Sequence, residues 1–318
     1  MNNGRRFVLS ISTWFCCPEQ GMKDLEILNR ASAFLIKANN KELNNKFEEK
    51  KSLTAKEKVI KYTPLKENKY HILTSSHVIA PWKYPKYYSQ EFISYINESH
   101  THYTVELRNE DGTFITQTEL IPRSFHHSNR DLALLHLDDE SSVIKTFESL
   151  QLESLELLDN SSTNLNKGDS LIFYGHDVRG DDNFHSEAND NRKPFPCIVN
   201  GTFYNKTMHQ TFSLTYPILT DGMCGGPVCL LSSNEVCGVV EGIVPTNHAD
   251  DKLKGLAVFV DSKIIRNFVD DVESGKVIPL LGGEAAIHVG SDQDEEKMDV
   301  AKILTDSVNG TGSEKYAP

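Results

Sequence analysis

The stretch from Thr220 to Val228, TDGMCGGPV, places one cysteine in a frame of glycines. Cys224 follows Gly222 by two positions and is itself followed by Gly225 and Gly226. Glycine permits the unusual backbone angles and close substrate approach of a tight nucleophile turn. Two amides of such a turn, those of Gly222 and Cys224, could point together at a developing oxyanion. The stretch therefore predicts nucleophilic chemistry at a thiol, provided that partner residues exist elsewhere.

A thiol becomes an effective nucleophile when a base holds its proton and a third group orients that base. His77, in ILTSSHVIAPW, comes just after a predicted strand, where a loop can present an imidazole to a cleft. Asp131, in SNRDLALL, begins an apolar strand, and its carboxylate can fix the imidazole tautomer. Because these residues are far apart in the sequence, they can meet Cys224 only through the fold.

The elements that must position them are mostly short strands with alternating or continuous apolar residues. Predicted strands cover residues 7–15, 31–38, 70–74, 103–108, 113–120, 131–137, 170–178, 197–204, 210–219, 228–231, 236–240 and 256–260. Residues 262–272 have helical spacing. Many short strands with one helix at the end predict an all-β barrel or sandwich.

Composition narrows the classes of function. The 318 residues carry a formal net charge of −12, which argues against nucleic acid as a partner because phosphate binding relies on clustered Lys and Arg. No apolar run approaches the roughly 20 residues of a membrane-spanning helix. We therefore expect neither nucleic acid nor membrane as a partner. We expect no cofactor and no metal, since no zinc-type ligand spacing occurs.

Cysteine usage indicates the compartment. The six cysteines are sparse and form no C-x-x-C pair, which favours a reducing intracellular compartment such as the cytoplasm. One bridge, Cys229 to Cys237, stays open because these residues flank a predicted hairpin. Residues 5–15 are interpreted as a strand, and a mitochondrial targeting segment is the alternative because the first acidic residue is Glu19.

Changes in composition suggest the domain organisation. Residues 1–24 would be an N-terminal extension, residues 25–280 the main domain, and residues 281–318 a disordered acidic tail. Within the main domain, residues 39–69 are interpreted as a charged, solvated insertion. The domain would divide in two near residues 141–168, which we interpret as a linker.

Three segments of the sequence together resemble those of a known family. ILTSSHV, DLALL and GMCGGPV are similar to the histidine, aspartate and nucleophile segments of trypsin-like peptidases, and they occur in the chymotrypsin-type order. Residues 166–177 and 236–244 resemble further segments of the HtrA-type members. The resemblance covers roughly residues 25–275. It implies a double six-stranded β-barrel with a C-terminal helix.

The resemblance also implies a role for each residue. Cys224 would be the nucleophile, His77 the general base and then acid, Asp131 the orienting carboxylate, and the Gly222 and Cys224 amides the oxyanion hole. The family usually has serine at the nucleophile position, whereas picornaviral relatives have cysteine. A thiol near a histidine cation and a turn rich in amides should ionise readily, so Asp131 should matter less than in a serine enzyme.

The same resemblance implies a peptide or protein substrate and suggests where it would bind. The specificity pocket would involve Ile218, six residues before the nucleophile, together with Val240, Glu241 and Gly242. Ile218 offers no charge for a basic substrate residue. Glu241 is expected to face solvent rather than to bring its negative charge into the cleft. His209 is a weak candidate for the pocket wall.

We therefore expect an endopeptidase that acts through a Cys224–His77–Asp131 triad and a thioester intermediate. The main alternative is a catalytically inactive relative that binds extended peptides beside residues 238–243. A redox sensor based on Cys224 is a third interpretation, which the lack of a nearby resolving cysteine disfavours.

Overall fold

The computed structural model describes residues 8–38, 70–85, 87–88, 91–120, 123–137, 142–158, 165–179, 193–207 and 210–277. β-strands are the main secondary structure of these residues, so the all-β class is confirmed. The predicted insertion at 39–69, the predicted tail at 281–318 and His209 lie outside the described residues. Among the described residues, no helix has the length and apolar character needed to cross a membrane.

The first half of the chain forms a seven-stranded antiparallel sheet. Its strands are β1 (Val8–Phe15), β2 (Glu26–Lys37), β3 (Tyr70–Thr74), β4 (Thr101–Arg108), β5 (Phe114–Leu120), β6 (Arg123–His126) and β7 (Ala133–His136), in the order β5-β4-β1-β2-β3-β7-β6. The strand interpretation of the N-terminal segment is confirmed, since β1 pairs with both β2 and β4. Its alternating apolar side chains, which include Leu9 and Ile11, are buried in the core of the sheet.

The second half forms a closed six-stranded antiparallel barrel. Its strands are β8 (Ser170–Arg179), β9 (Lys193–Lys206), β10 (Thr211–Tyr216), β11 (Pro227–Leu230), β12 (Val236–Ile243) and β13 (Ala257–Asp261), in the order β10-β13-β12-β11-β8-β9. Buried aromatic rings fill part of the interior, and Phe173 and Phe259 meet edge to face with centroids 6.2 Å apart. Closure leaves the barrel without free edges along its paired strands.

In the described part of the chain, three α-helices accompany the strands: α1 (Ser76–Ile79), α2 (Ser142–Ser149) and α3 (Ser262–Glu273). The predicted C-terminal helix is confirmed as α3, which buries Ile265, Phe268, Val269 and Val272 at helical spacing. These residues join a core that contains residues of both halves, for example Phe34 of β2 and Val260 of β13. Helix α3 thus helps to hold the sheet and the barrel together.

Helix α2 lies in the segment that was predicted to be a linker. Its residues Val143, Ile144 and Phe147 are buried in the core of the seven-stranded sheet. After the helix, Leu155 bridges to Ile36 of β2, and Leu157 bridges to Val236 of β12. The segment is therefore packed against both halves of the chain. Its many polar residues gave no sign of this packing in the sequence.

All six cysteines are free thiols. The possible bridge between Cys229 and Cys237 is wrong: in the β11–β12 ladder Cys229 lies opposite Val236, and the Cys237 thiol donates to the carbonyl oxygen of Val228 at 3.3 Å. Burial raises the pKa of Cys237 well above its ordinary value, with the neighbouring Cys229 adding to the effect. Cys237 is thus a buried, neutral thiol.

Candidate active site

The structure brings His77 and Asp131 into direct contact. His77 lies in α1, the single helical turn after β3, and Asp131 lies just before β7, the strand that pairs with β3. One carboxylate oxygen of Asp131 is hydrogen-bonded to Nδ1 of His77, and the other accepts from the His77 backbone amide at 2.8 Å. These two bonds fix the ring orientation and hold a proton on Nδ1.

Cys224 completes the predicted group. A side-chain hydrogen bond joins Cys224 to His77. The thiol is half-buried and packs against the core of the seven-stranded sheet, although the residue belongs to the barrel half of the chain. The three residues therefore meet where the sheet and the barrel join.

The charge state of His77 depends on these neighbours. Burial lowers the pKa of His77, but the charge of Asp131 and the hydrogen bonds to Asp131 and Cys224 raise it more, so the pKa lies well above its ordinary value. A protonated imidazole next to a thiol stabilises the thiolate by charge attraction. The arrangement thus favours a thiolate–imidazolium pair.

Aromatic rings surround the imidazole. Tyr87 stacks on His77 with centroids 5.4 Å apart and planes 25° apart, and Tyr84 approaches edge-on at 6.1 Å. The Tyr88 hydroxyl donates to the His77 carbonyl oxygen at 3.0 Å and itself accepts from the Asn29 amide. The negative face of an aromatic ring attracts a cation within about 6 Å. Sequence reasoning missed these tyrosines, although PWKYPKYY follows the histidine segment directly.

The nucleophile turn needs glycine at position 225. Gly225 has a φ angle of +80°, and an added Cβ would lie 2.3 Å from both the Ser32 carbonyl oxygen and Oγ1 of Thr74. The Gly225 amide donates to the Val240 carbonyl oxygen at 2.9 Å. The glycine frame therefore lets the turn approach β2, β3 and β12 at once.

The predicted oxyanion donors lie in a compact turn. Asp221–Met223 form a 3-10 turn, in which the Met223 amide donates to the Thr220 carbonyl at 3.0 Å. The Gly222 carbonyl accepts from the Ser32 hydroxyl at 2.7 Å, which anchors the turn to β2. Oxyanion binding by the Gly222 and Cys224 amides stays a prediction.

The predicted substrate-binding residues differ in exposure. Ile218 is 48% exposed, and its side chain lies beside Gly255. Gly242 is half-buried, with open space where a Cβ would be. The Val240 side chain is buried, so it supports the site from within the core rather than lining an open surface.

The expectation that Glu241 faces solvent is wrong. Its side chain is only 7% exposed, and its carboxylate pairs with the Arg130 guanidinium at 2.8 Å. Burial raises the pKa of Glu241, Arg130 opposes that rise, and the negative Asp131 adds to it. The ion pair offsets the cost of burying the carboxylate. The only sequence signal was an arginine directly before Asp131.

A further histidine contacts the segment that carries His77. His126 ends β6, and its Nδ1 is hydrogen-bonded to the Ser76 hydroxyl. Burial lowers the pKa of His126 well below its ordinary value, and the nearby charge of Lys83 acts in the same direction. The ring is therefore a neutral partner of the residue beside His77.

One group of side chains has the composition of a metal site. Among the described residues, the ligand atoms of Cys17, Glu19 and His100 lie within 4.8 Å of one another. However, the Asn97 amide donates to Nδ1 of His100 at 3.2 Å, so the proton of the neutral ring is on Nε2. That nitrogen faces Glu19 at 2.7 Å. Hydrogen bonding accounts for the group, and Nε2 lacks the free lone pair that a metal needs.

The sequence was also compared with known proteins. No protein-family model matches it. No curated protein matches it either.

Proposed function

We propose that this chain is a cysteine endopeptidase of the trypsin-like type, in which the seven-stranded sheet corresponds to the first barrel of that fold. One observation carries the proposal: Asp131, His77 and Cys224 form a hydrogen-bonded series at the junction of the sheet and the barrel. The same residues were selected from the sequence by their types, their neighbouring motifs and their order. Such agreement is what a working triad requires.

Each residue has a definite role in the proposed reaction. The Cys224 thiolate attacks the carbonyl carbon of the peptide, and the carbon–nitrogen bond breaks as His77 gives its proton to the leaving amine. Water then attacks the thioester and gives a proton to His77. The carbon–sulfur bond breaks, the carboxylic acid product leaves, and the thiolate–imidazolium pair of Cys224 and His77 is restored. Asp131 keeps the imidazole in the productive orientation throughout.

The open side of β12 supports the binding of an extended substrate. Within the described residues, the ladder between β11 and β12 ends at the pair Pro227–Val239, whereas the ladder between β12 and β13 continues to Ile243–Ala257. One side of residues 241–243 is thus available to a peptide strand. The same feature favours a second function, in which the chain binds extended peptides without cleaving them.

A peptide-library digest tests the proposal and separates the two functions. We expect the wild type to produce cleavage products that the Cys224→Ala variant does not. Peptides that bind the wild type and the variant equally, with identical product patterns, would instead establish the binding function. Labelling by an electrophilic peptide should also be selective for Cys224 and at least tenfold slower in His77→Ala, as expected when a base or a charged partner is removed.

A further inference from the structure

Glu241 touches both the residue that orients the histidine and the residue before it. Its carboxylate accepts a hydrogen bond from the backbone of Asp131 and pairs with the side chain of Arg130 at 2.8 Å. Glu241 is on β12 in the barrel, whereas Arg130 and Asp131 precede β7 in the sheet. The contact thus crosses the junction directly behind the triad.

The neighbouring residue of β12 makes the matching contacts to the other two triad segments. The Val240 carbonyl oxygen accepts from the Ser75 hydroxyl at 2.7 Å and from the Gly225 amide at 2.9 Å. Ser75 precedes α1, which carries His77, and Gly225 follows the nucleophile. Val240 and Glu241 together therefore contact the segments of all three triad residues.

We propose that Glu241 is a positioning residue for the triad, acting through its hydrogen bond to the backbone of Asp131. The catalytic purpose of this positioning role rests on the proposed function, whereas the contacts of Glu241 do not depend on it. The Asp131 carboxylate accepts hydrogen bonds from both the backbone amide and Nδ1 of His77. A small shift of the Asp131 backbone would therefore break one of these bonds. Glu241 prevents that shift by accepting from the Asp131 amide, and Arg130 keeps the Glu241 carboxylate in place.

The charged and titratable groups around this contact come from four segments. Asp131 and Arg130 face Glu241 from the β7 side, and Cys224 and His77 lie beyond Asp131. Tyr84 and Tyr87 are close enough to interact electrostatically with the carboxylates of Asp131 and Glu241. A test must therefore separate the hydrogen bond from the general effect of a buried charge.

Two double variants make this separation. Arg130→Met with Glu241→Gln removes the ion pair but leaves an amide oxygen that can accept from Asp131. Arg130→Met with Glu241→Met removes the acceptor as well. Both avoid an unpaired buried charge, which is the usual cause of large destabilisation when one member of such a pair is removed. The readouts are the low-field proton resonance of His77 Nδ1 and the rate of Cys224 alkylation by iodoacetamide between pH 5 and 9.

We expect the Gln variant to keep the Nδ1 resonance and an alkylation rate within about threefold of the wild type. The Met variant should lose the resonance, and its alkylation should slow at least tenfold, towards the His77→Ala rate, because a misplaced base loses most of its effect. If both variants keep the resonance and the rate, Glu241 has only a structural role. If both lose them, the ion pair matters rather than the hydrogen bond. Either result overturns the proposal.

The wild type provides a measurement that does not depend on the folding of variants. The Asp131 amide should exchange with solvent slowly, at least a hundredfold below its unprotected rate, because it has a buried acceptor. Rapid exchange at this amide would also overturn the proposal. Neither measurement requires peptide cleavage, so a protein that shows these signals without hydrolysing peptides would retain the positioning role and lose the proposed function.

Discussion

The Ser75 hydroxyl donates to the Val240 carbonyl oxygen at 2.7 Å, and this bond joins the histidine segment of the sheet to β12 of the barrel, whose Val240 carbonyl also accepts from the Gly225 amide of the nucleophile turn. Ser75 is fully buried and precedes α1 at the position where a serine often caps a helix, yet it makes no side-chain cap. Its hydroxyl serves the junction instead. Ser75 thus forms a long-range hydrogen bond in place of a local helix cap.

Replacing Ser75 with alanine should weaken the site more than the fold. We expect a loss of about 1 kcal/mol in the free energy of unfolding, the usual cost of one buried hydrogen bond. Because the histidine and nucleophile segments are then less firmly joined, Cys224 alkylation should slow severalfold. Urea unfolding and iodoacetamide kinetics measure the two effects. Ser149→Ala is the control, since that exposed hydroxyl bonds only within α2, and a similar alkylation loss there would contradict the prediction.

Gly225→Ala should destabilise the chain strongly, by about 3 kcal/mol or more, since strain at positive φ and steric overlap both act. The added carbon would meet atoms of Ser32 and Thr74 at 2.3 Å. Gly21→Ala is the matched control: its φ is +85°, close to the +80° of Gly225, but nothing lies within 4 Å. The difference in unfolding free energy between the two variants therefore measures the cost of the steric overlap at Gly225 alone. Equal losses would mean that the turn does not pack as described.

The His77 ion pairs should stabilise the fold in a pH-dependent way. A folded-state pKa raised above the unfolded value contributes stability that is present below the unfolded value and is lost as the pH rises through the folded pKa. His77→Gln should therefore cost most near pH 6 and progressively less at higher pH. Urea unfolding across this range checks the trend. A stability loss in His77→Gln that stays the same from pH 6 to pH 9 would contradict the prediction.

Tyr87 should favour the protonated form of His77 through its ring face. Contacts of this kind contribute about 0.5–1 kcal/mol, which corresponds to a two- to fivefold effect. We expect Tyr87→Leu to shift the pH profile of Cys224 alkylation by that amount, whereas Tyr87→Phe should preserve it because the ring remains. Identical profiles in the Leu and Phe variants would show that the stacking at 5.4 Å has no electrostatic consequence.

Local patterns were sufficient for most of the secondary structure. The strand at Tyr70–Thr74 and the hairpin of β4 and β5 follow from alternation and turn residues, which act between near neighbours. The α2 segment was missed because its apolar face is short and gains its stability from packing on the sheet. A pattern read along the chain does not contain that contact.

The sequence by itself determined which residues are chemically suited to the reaction: a cysteine framed by glycines, a histidine after a strand and an aspartate before one. Only the tertiary structure decided that they meet, since their hydrogen bonds join segments far apart in the chain. It also decided that Glu241 is buried against Arg130. Side-chain type sets the chemistry that is possible, whereas burial and distance, which set charge states and hydrogen bonds, depend on long-range packing.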